Sequence, residues 1–196
     1  MTLDLENLVA IDVHTHAEVS DDGHHSLPDD LMEASATYFR TDQGRAPSLD
    51  ALAAHYRERR MAAVVFTVDT EHETGHPPIP NDDVARAAQR HPDVLIPFAS
   101  IDPHRGAAGV EEARRLVTDM GVRGFKFHPT IQGFSPDDPM AYPLYDAISE
   151  LGVPALFHSG QTGIGAGMPG GGGSRMKYSN PMLLDDVAAD FPHLQI

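Results

Sequence analysis

The chain contains no cysteine, so disulfides and thiolate metal sites are excluded and any metal must be held by His, Asp or Glu. Excess positive charge is also absent. The formal net charge is −15, which argues against nucleic acid or an anionic membrane as a partner. No apolar run approaches the roughly 20 residues of a membrane span. The opening residues Met1 to Glu6 lack the basic segment of a signal peptide. A cytoplasmic protein with a small-molecule substrate is therefore expected, with a homo-oligomer left open. No Gly-x-Gly-x-x-Gly follows the first apolar run, so a dinucleotide fold is not supported. There is no internal repeat and no interdomain linker, and residues 1–196 read as one domain.

What is present is an alternation of strand-like and helix-like segments. Strands are expected over Leu8–Val13, Ala62–Val68, Val94–Ser100, Val122–Phe127 and Val153–Phe157. A long polar stretch, 17–47, follows the first strand as an insertion with one helical piece near Pro28–Arg40. Ser48 reads as the N-cap of a helix with Leu49, Leu52, Ala53 and Tyr56 on one face. Asn81 reads as the cap of the next helix. A further helix spans Ala107–Met120, and Pro143 and Pro181 open two more. Strands that read as continuous apolar runs between helices belong to a parallel sheet buried on both faces.

The chain has 12 histidines, and nine of them lie at or after expected strand C-termini. His14 and His16 close the first strand, and residues i and i+2 of a strand share a face. Two neutral imidazoles on one face can meet at a divalent cation. His158 ends the fifth strand, where burial without a partner is costly; it is the third ligand candidate. His128 ends the fourth strand and is open to metal binding, substrate orientation or proton transfer. Lys126 shares its face and is expected to pair with a carboxylate. Asp69 and Asp102 follow the second and third strands on the same side. His24, His25, His72 and His76 read better as loop residues than as ligands. Arg175, Lys177 and Tyr178 lie in the glycine-rich loop after His158, either as substrate contacts or as a solvated loop tip.

Asp-Val-His14-Thr-His16, Gly-Phe-Lys126-Phe-His128-Pro and Leu-Phe-His158-Ser-Gly together resemble the amidohydrolase superfamily. The nearer likeness is to the branch that holds aminocarboxymuconate-semialdehyde and γ-resorcylate decarboxylases. The resemblance implies a (β/α)₈ TIM barrel, an α/β fold whose strand C-termini open onto the active site. It implies one divalent ion, most often Zn2+, on His14, His16 and His158, with His128 as a candidate acid or base. Asp69, Asp102, Lys126, Arg175 and Tyr178 are then candidate substrate contacts. The family's strand-six histidine and strand-eight aspartate have no counterpart in these 196 residues. The barrel is thus expected to stop at the start of strand six, with the main acid or base and the remaining ligand located beyond Ile196. Residues 1–196 alone are expected to lack turnover. Hydrolysis of a carbonyl substrate by metal-activated water is the expected reaction. Non-oxidative decarboxylation of an aromatic or unsaturated acid is the alternative, and a metal-binding domain without turnover is a third reading.

Overall fold

A computed structural model describes residues 3–41 and 46–196. In chain order the elements are β1 (Ala10–His16), α1 (Asp29–Phe39), α2 (Leu49–Glu58), β2 (Met61–Phe66), α3 (Glu71–Thr74), α4 (Asn81–Arg90), β3 (Leu95–Pro97), α5 (Gly106–Thr118), β4 (Phe125–Phe127), α6 (Pro129–Gln132), α7 (Tyr142–Glu150), β5 (Ala155–Phe157) and α8 (Leu183–Asp190). Within the 17–47 stretch, α1 is where the sequence placed it; Asp42–Arg45 lie outside the described residues. Among the described residues no helix is long and apolar enough to cross a membrane.

All strand pairs are parallel, in the order β1-β2-β3 and β4-β5. The two groups join through a parallel bridge between Ala99 and Phe125. The Lys126 N–H donates to Ala99 O at 2.7 Å across this seam, and the Arg123 N–H to Pro97 O at 2.8 Å. Beyond β5, the Ala155 N–H donates to Gln195 O at 2.8 Å. This places the segment expected to begin a sixth strand beside β5. Leu194 is buried there, while Ile196 is 50% exposed.

The apolar runs are explained by burial on both faces. On one face Ala63, Val65 and Leu95 pack with α2 and α4 through Ala53, Val84 and Ala87. On the other, Val64, Phe66, Ile96 and Phe98 form the inner cluster. Phe125 and Phe127 meet Leu144, Tyr145 and Ile148 of α7. The two-sided expectation fails at β1. Val9, Ile11 and Val13 are exposed, at an edge strand of this sheet.

Two local readings come out differently from each other. Ser48 does cap α2: its Oγ accepts the Ala51 N–H at 3.2 Å. Asn81 instead lies inside α4, behind Pro80, and makes no cap bond. Its amide clips the chain after β3, donating to Ser100 O at 2.9 Å and accepting the Ser100 N–H at 2.9 Å.

Candidate functional site

The end of β1 is shaped by a bulge. Asp12 pairs with Ala63 but Thr15 with Val65, so three steps on β1 span two on β2. Strict alternation would put Asp12 on the face of His14 and His16; the bulge sends it to the other side with Thr15. There the Tyr56 hydroxyl donates to Asp12 Oδ2 at 2.6 Å and lies 3.0 Å from Thr15 Oγ1. Asp12 Oδ1 accepts the His14 N–H at 2.9 Å. The Tyr56 hydrogen bond, helped by that N–H, holds the Asp12 carboxyl below its ordinary value. The bulge is thereby clasped from α2. His14 and His16 project together on the inner face, their Nε2 atoms 3.1 Å apart. The His16 ring stands edge-on to Phe66, with centroids 4.8 Å apart.

The ends of β4 and β5 supply a second pair. The His128 and His158 rings stack with centroids 3.8 Å apart and an interplanar angle of 9°. His128 Nδ1 and His158 Nε2 are buried and have no hydrogen-bond partner among the described residues. The His128 backbone is fixed by Gln132 on α6, a residue the sequence reading passed over. Gln132 Oε1 accepts the His128 N–H at 2.7 Å, and its Nε2 donates to Asp69 O at 3.0 Å. Lys126 is 1 % exposed, with Nζ 5.0 Å from the Phe66 ring centroid. The carboxylate partner expected for it is not found among the described residues. Burial alone lowers its pKa to about 8.

Burial also pushes all four imidazoles below their ordinary value, His16 to about 3 and His128 well down. The neighbouring Lys126 charge acts in the same direction on each. They are therefore neutral at pH 7, the form that ligates metal.

These residues floor a cavity of about 1080 Å³, whose lining includes His14, His16, His128 and His158. Met32, Ala36, Tyr38 and Phe39 of α1 and Gly163 and Ile164 of the loop after β5 stand around it. Glu18, two residues past His16, also lines it and accepts a hydrogen bond from Ser26 Oγ. His25 reaches the cavity too, whereas His24 and His76 stack on each other and bond to backbone carbonyls.

The remaining candidates are not brought to this cavity. Asp69 and Asp102 line a separate pocket of about 180 Å³ with Glu71, His72, His104 and Arg105. Arg105 Nε donates to Asp69 Oδ2 at 2.6 Å, and Asp102 Oδ1 lies 2.6 Å from His104 Nδ1. Burial raises the Asp102 pKa. A local arginine has engaged Asp69, which the position past a strand end could not reveal. Arg175 and Tyr178 are not among the lining residues; Lys177 Nζ lies 4.7 Å from the Tyr178 ring centroid instead. Ile196 does not line the cavity either. An acid or base expected beyond Ile196 lies outside the described residues, so His128 is the proton-transfer candidate that this chain itself places at the floor.

The donors suit a divalent cation in part. The His14–His16 spacing is compatible with two bonds of about 2.0–2.1 Å to one ion, and His158 Nε2 is buried without a partner among the described residues. Among the described residues, however, no three His, Asp or Glu side chains are gathered tightly enough to form a closed ligand set.

Comparisons with known proteins agree with the fold. A 2-amino-3-carboxymuconate-6-semialdehyde decarboxylase of Dictyostelium discoideum is 24% identical over 78 residues, 40% of this chain and 22% of that protein. An uncharacterized TIM-barrel protein of Bordetella bronchiseptica superposes with a TM-score of 0.60 at 21% identity, over 95% of this chain and 65% of the other. A 5-carboxyvanillate decarboxylase of Novosphingobium aromaticivorans, complexed with manganese and 4-hydroxy-3-methoxy-5-nitrobenzoic acid, gives a TM-score of 0.57 at 16% identity. That match covers 100% of this chain and 67% of the other. The five parallel strands are thus part of a TIM barrel, and the chain spans about two thirds of the solved barrels it matches. The amidohydrolase family model matches residues 11–196, and the chain belongs to that family.

Proposed function

We propose that the chain carries a divalent-cation half-site of a metal-dependent carboxy-lyase acting on an unsaturated or aromatic carboxylic acid. The observation that carries the proposal is the meeting of His14 and His16 Nε2 at 3.1 Å on the floor of a largely apolar cavity. His14, His16 and His158 would hold the ion. Zn2+ is the ion the family resemblance implies; manganese is the ion in the solved 5-carboxyvanillate decarboxylase. When bound, such a cation supplies Lewis acidity toward a substrate oxygen.

The chain's own residues do the rest. Burial keeps the imidazoles neutral and ready to ligate. The His128 backbone is fixed by Gln132, and its ring, which lines the cavity, is the group to exchange a hydrogen bond or a proton with the substrate. Val68 and Ile131, both buried, add apolar surface to the lining. An apolar wall disfavours a carboxylate relative to the neutral CO₂ it releases. Hydrolysis, the reaction expected from sequence, receives less support than carboxyl loss. Both the curated relative and the manganese-containing barrel bear decarboxylase names. In the protein that carries this chain, release of labelled CO₂ from a carboxyl-labelled acid is the expected outcome. Uptake of oxygen label from water into an acid product, with the carboxyl retained, would overturn the proposal.

A further inference from the structure

The smaller pocket, outside the histidine-floored cavity, gathers metal-binding groups that the proposed reaction does not use. His72 follows β2 and His104 follows β3, and the parallel pairing of these strands sets the two segments side by side. The two imidazoles stack in the pocket with centroids 3.9 Å apart and an interplanar angle of 9°.

His104 is held in one orientation. Asp102 Oδ1 accepts the His104 backbone N–H at 2.9 Å and lies 2.6 Å from its Nδ1. A carboxylate only accepts, so Nδ1 carries the proton and Nε2 keeps its lone pair. A carboxylate behind an imidazole fixes its tautomer and raises its basicity, as it does behind metal-bound histidines. Asp102 lines the pocket, is 2% exposed, and its Oδ2 has no hydrogen-bond partner among the described residues. A buried carboxylate oxygen left unpaired carries a desolvation cost that a nearby cation offsets.

The surroundings are fixed before any ion arrives. The Asp102 N–H donates to Asp69 Oδ2 at 3.0 Å, and the Asp69 N–H to Ser100 Oγ at 3.1 Å. Helix α3, which carries His72, rests on the end of α6, where a Cβ at Gly133 would overlap the Glu73 carboxylate. The lining sets the carboxylates of Asp69, Glu71 and Asp102 against the one guanidinium of Arg105, so its fixed charge is negative. Two imidazoles select Zn2+, Cu2+ or Ni2+ over Mg2+ and Ca2+, with Mn2+ the weakest of the first-row ions. Among the described residues no three His, Asp or Glu side chains close on one point, so water fills the remaining positions and the ion exchanges readily.

We propose that His72 and His104 form a second, exchangeable site for a divalent cation of the zinc class, with Asp102 positioning His104. This site is independent of the cation on the histidine floor. The test is calorimetric titration of Zn2+ into the protein that carries this chain. His72→Ala and His104→Ala each take up one Zn2+ fewer than the unaltered protein. Asp102→Asn keeps the site but weakens it by about 10- to 100-fold. His72 is exposed, so His72→Ala keeps the fold and the test stands even where Asp102→Asn does not fold. The double variant His14→Ala/His16→Ala retains this Zn2+ and loses it when His72→Ala is added. Unchanged uptake in His72→Ala and His104→Ala overturns the proposal, and so does loss of this ion in the His14→Ala/His16→Ala protein. Should the floor bind no metal, the unaltered protein still takes up the pocket ion and His72→Ala still removes it, so the two readings fail separately.

Discussion

Replacing Lys126 by Met should stabilise the protein at neutral pH. Lys126 is 1 % exposed, lies over the Phe66 ring, and has no carboxylate partner among the described residues. Burial lowers its pKa from 10.5 to about 8. At about 1.4 kcal/mol per pH unit, that displacement corresponds to about 3 kcal/mol against the buried ammonium. Below pH 8 both folded and unfolded states carry the proton, and the folded state bears the whole cost. Between about 8 and 10.5 the unfolded chain keeps the proton and the folded chain releases it, so stability rises with pH across that window. Methionine has similar length and no charge. Lost attraction to Phe66 offsets about 1 kcal/mol of the gain, so a net gain of about 2 kcal/mol is expected near pH 7. Urea unfolding of both proteins from neutral to alkaline pH gives the answer as a difference, in which the other titrating groups cancel. The variant's advantage should shrink above pH 8. An advantage that is constant with pH, or a less stable variant at neutral pH, would refute the reasoning and point to a partner that Lys126 needs.

Two further predictions concern residues behind the site. Gln132→Leu leaves the His128 N–H and the Asp69 carbonyl buried and unpaired. At about 1–3 kcal/mol for each such group, the melting temperature should fall by at least about 4 °C, and an unchanged melt would remove Gln132 from the account. Tyr56→Phe deletes the phenol that holds Asp12 at the β1 bulge. A hydrogen bond to a charged acceptor contributes about 1.5–3 kcal/mol, and partial exposure reduces this to about 1 kcal/mol. Because the folded Asp12 pKa lies below the ordinary 3.8, the deficit should be full above that value and fade as the pH falls below it. A deficit of the same size at about pH 6 and about pH 3 would show that Asp12 is not its source.

The parts legible in the sequence are those governed by local periodicity. Alternation along β1 puts His14 and His16 on one face, and the apolar runs of β2 and β3 mark a sheet covered on both sides. Where contacts distant in sequence decide, the reading falls short. Gln132 reaches Asp69 across 63 residues, and Asn81 looks like a cap until its amide is seen on Ser100. Arg105 takes Asp69 into a pocket of its own. The bulge between Asp12 and Thr15 leaves no mark in the pattern, because Asp12, His14 and His16 read as one face in an unbroken strand.

The central claim is that His14 and His16, with His158, hold a divalent cation on the cavity floor. Titration of divalent manganese into the chain, followed by the electron paramagnetic resonance signal of the free ion, tests it most directly. One ion bound per chain, lost in His14→Ala and in His16→Ala and weakened in His158→Ala, is the predicted result. No uptake by the unaltered chain, or equal uptake by the variants, would contradict it.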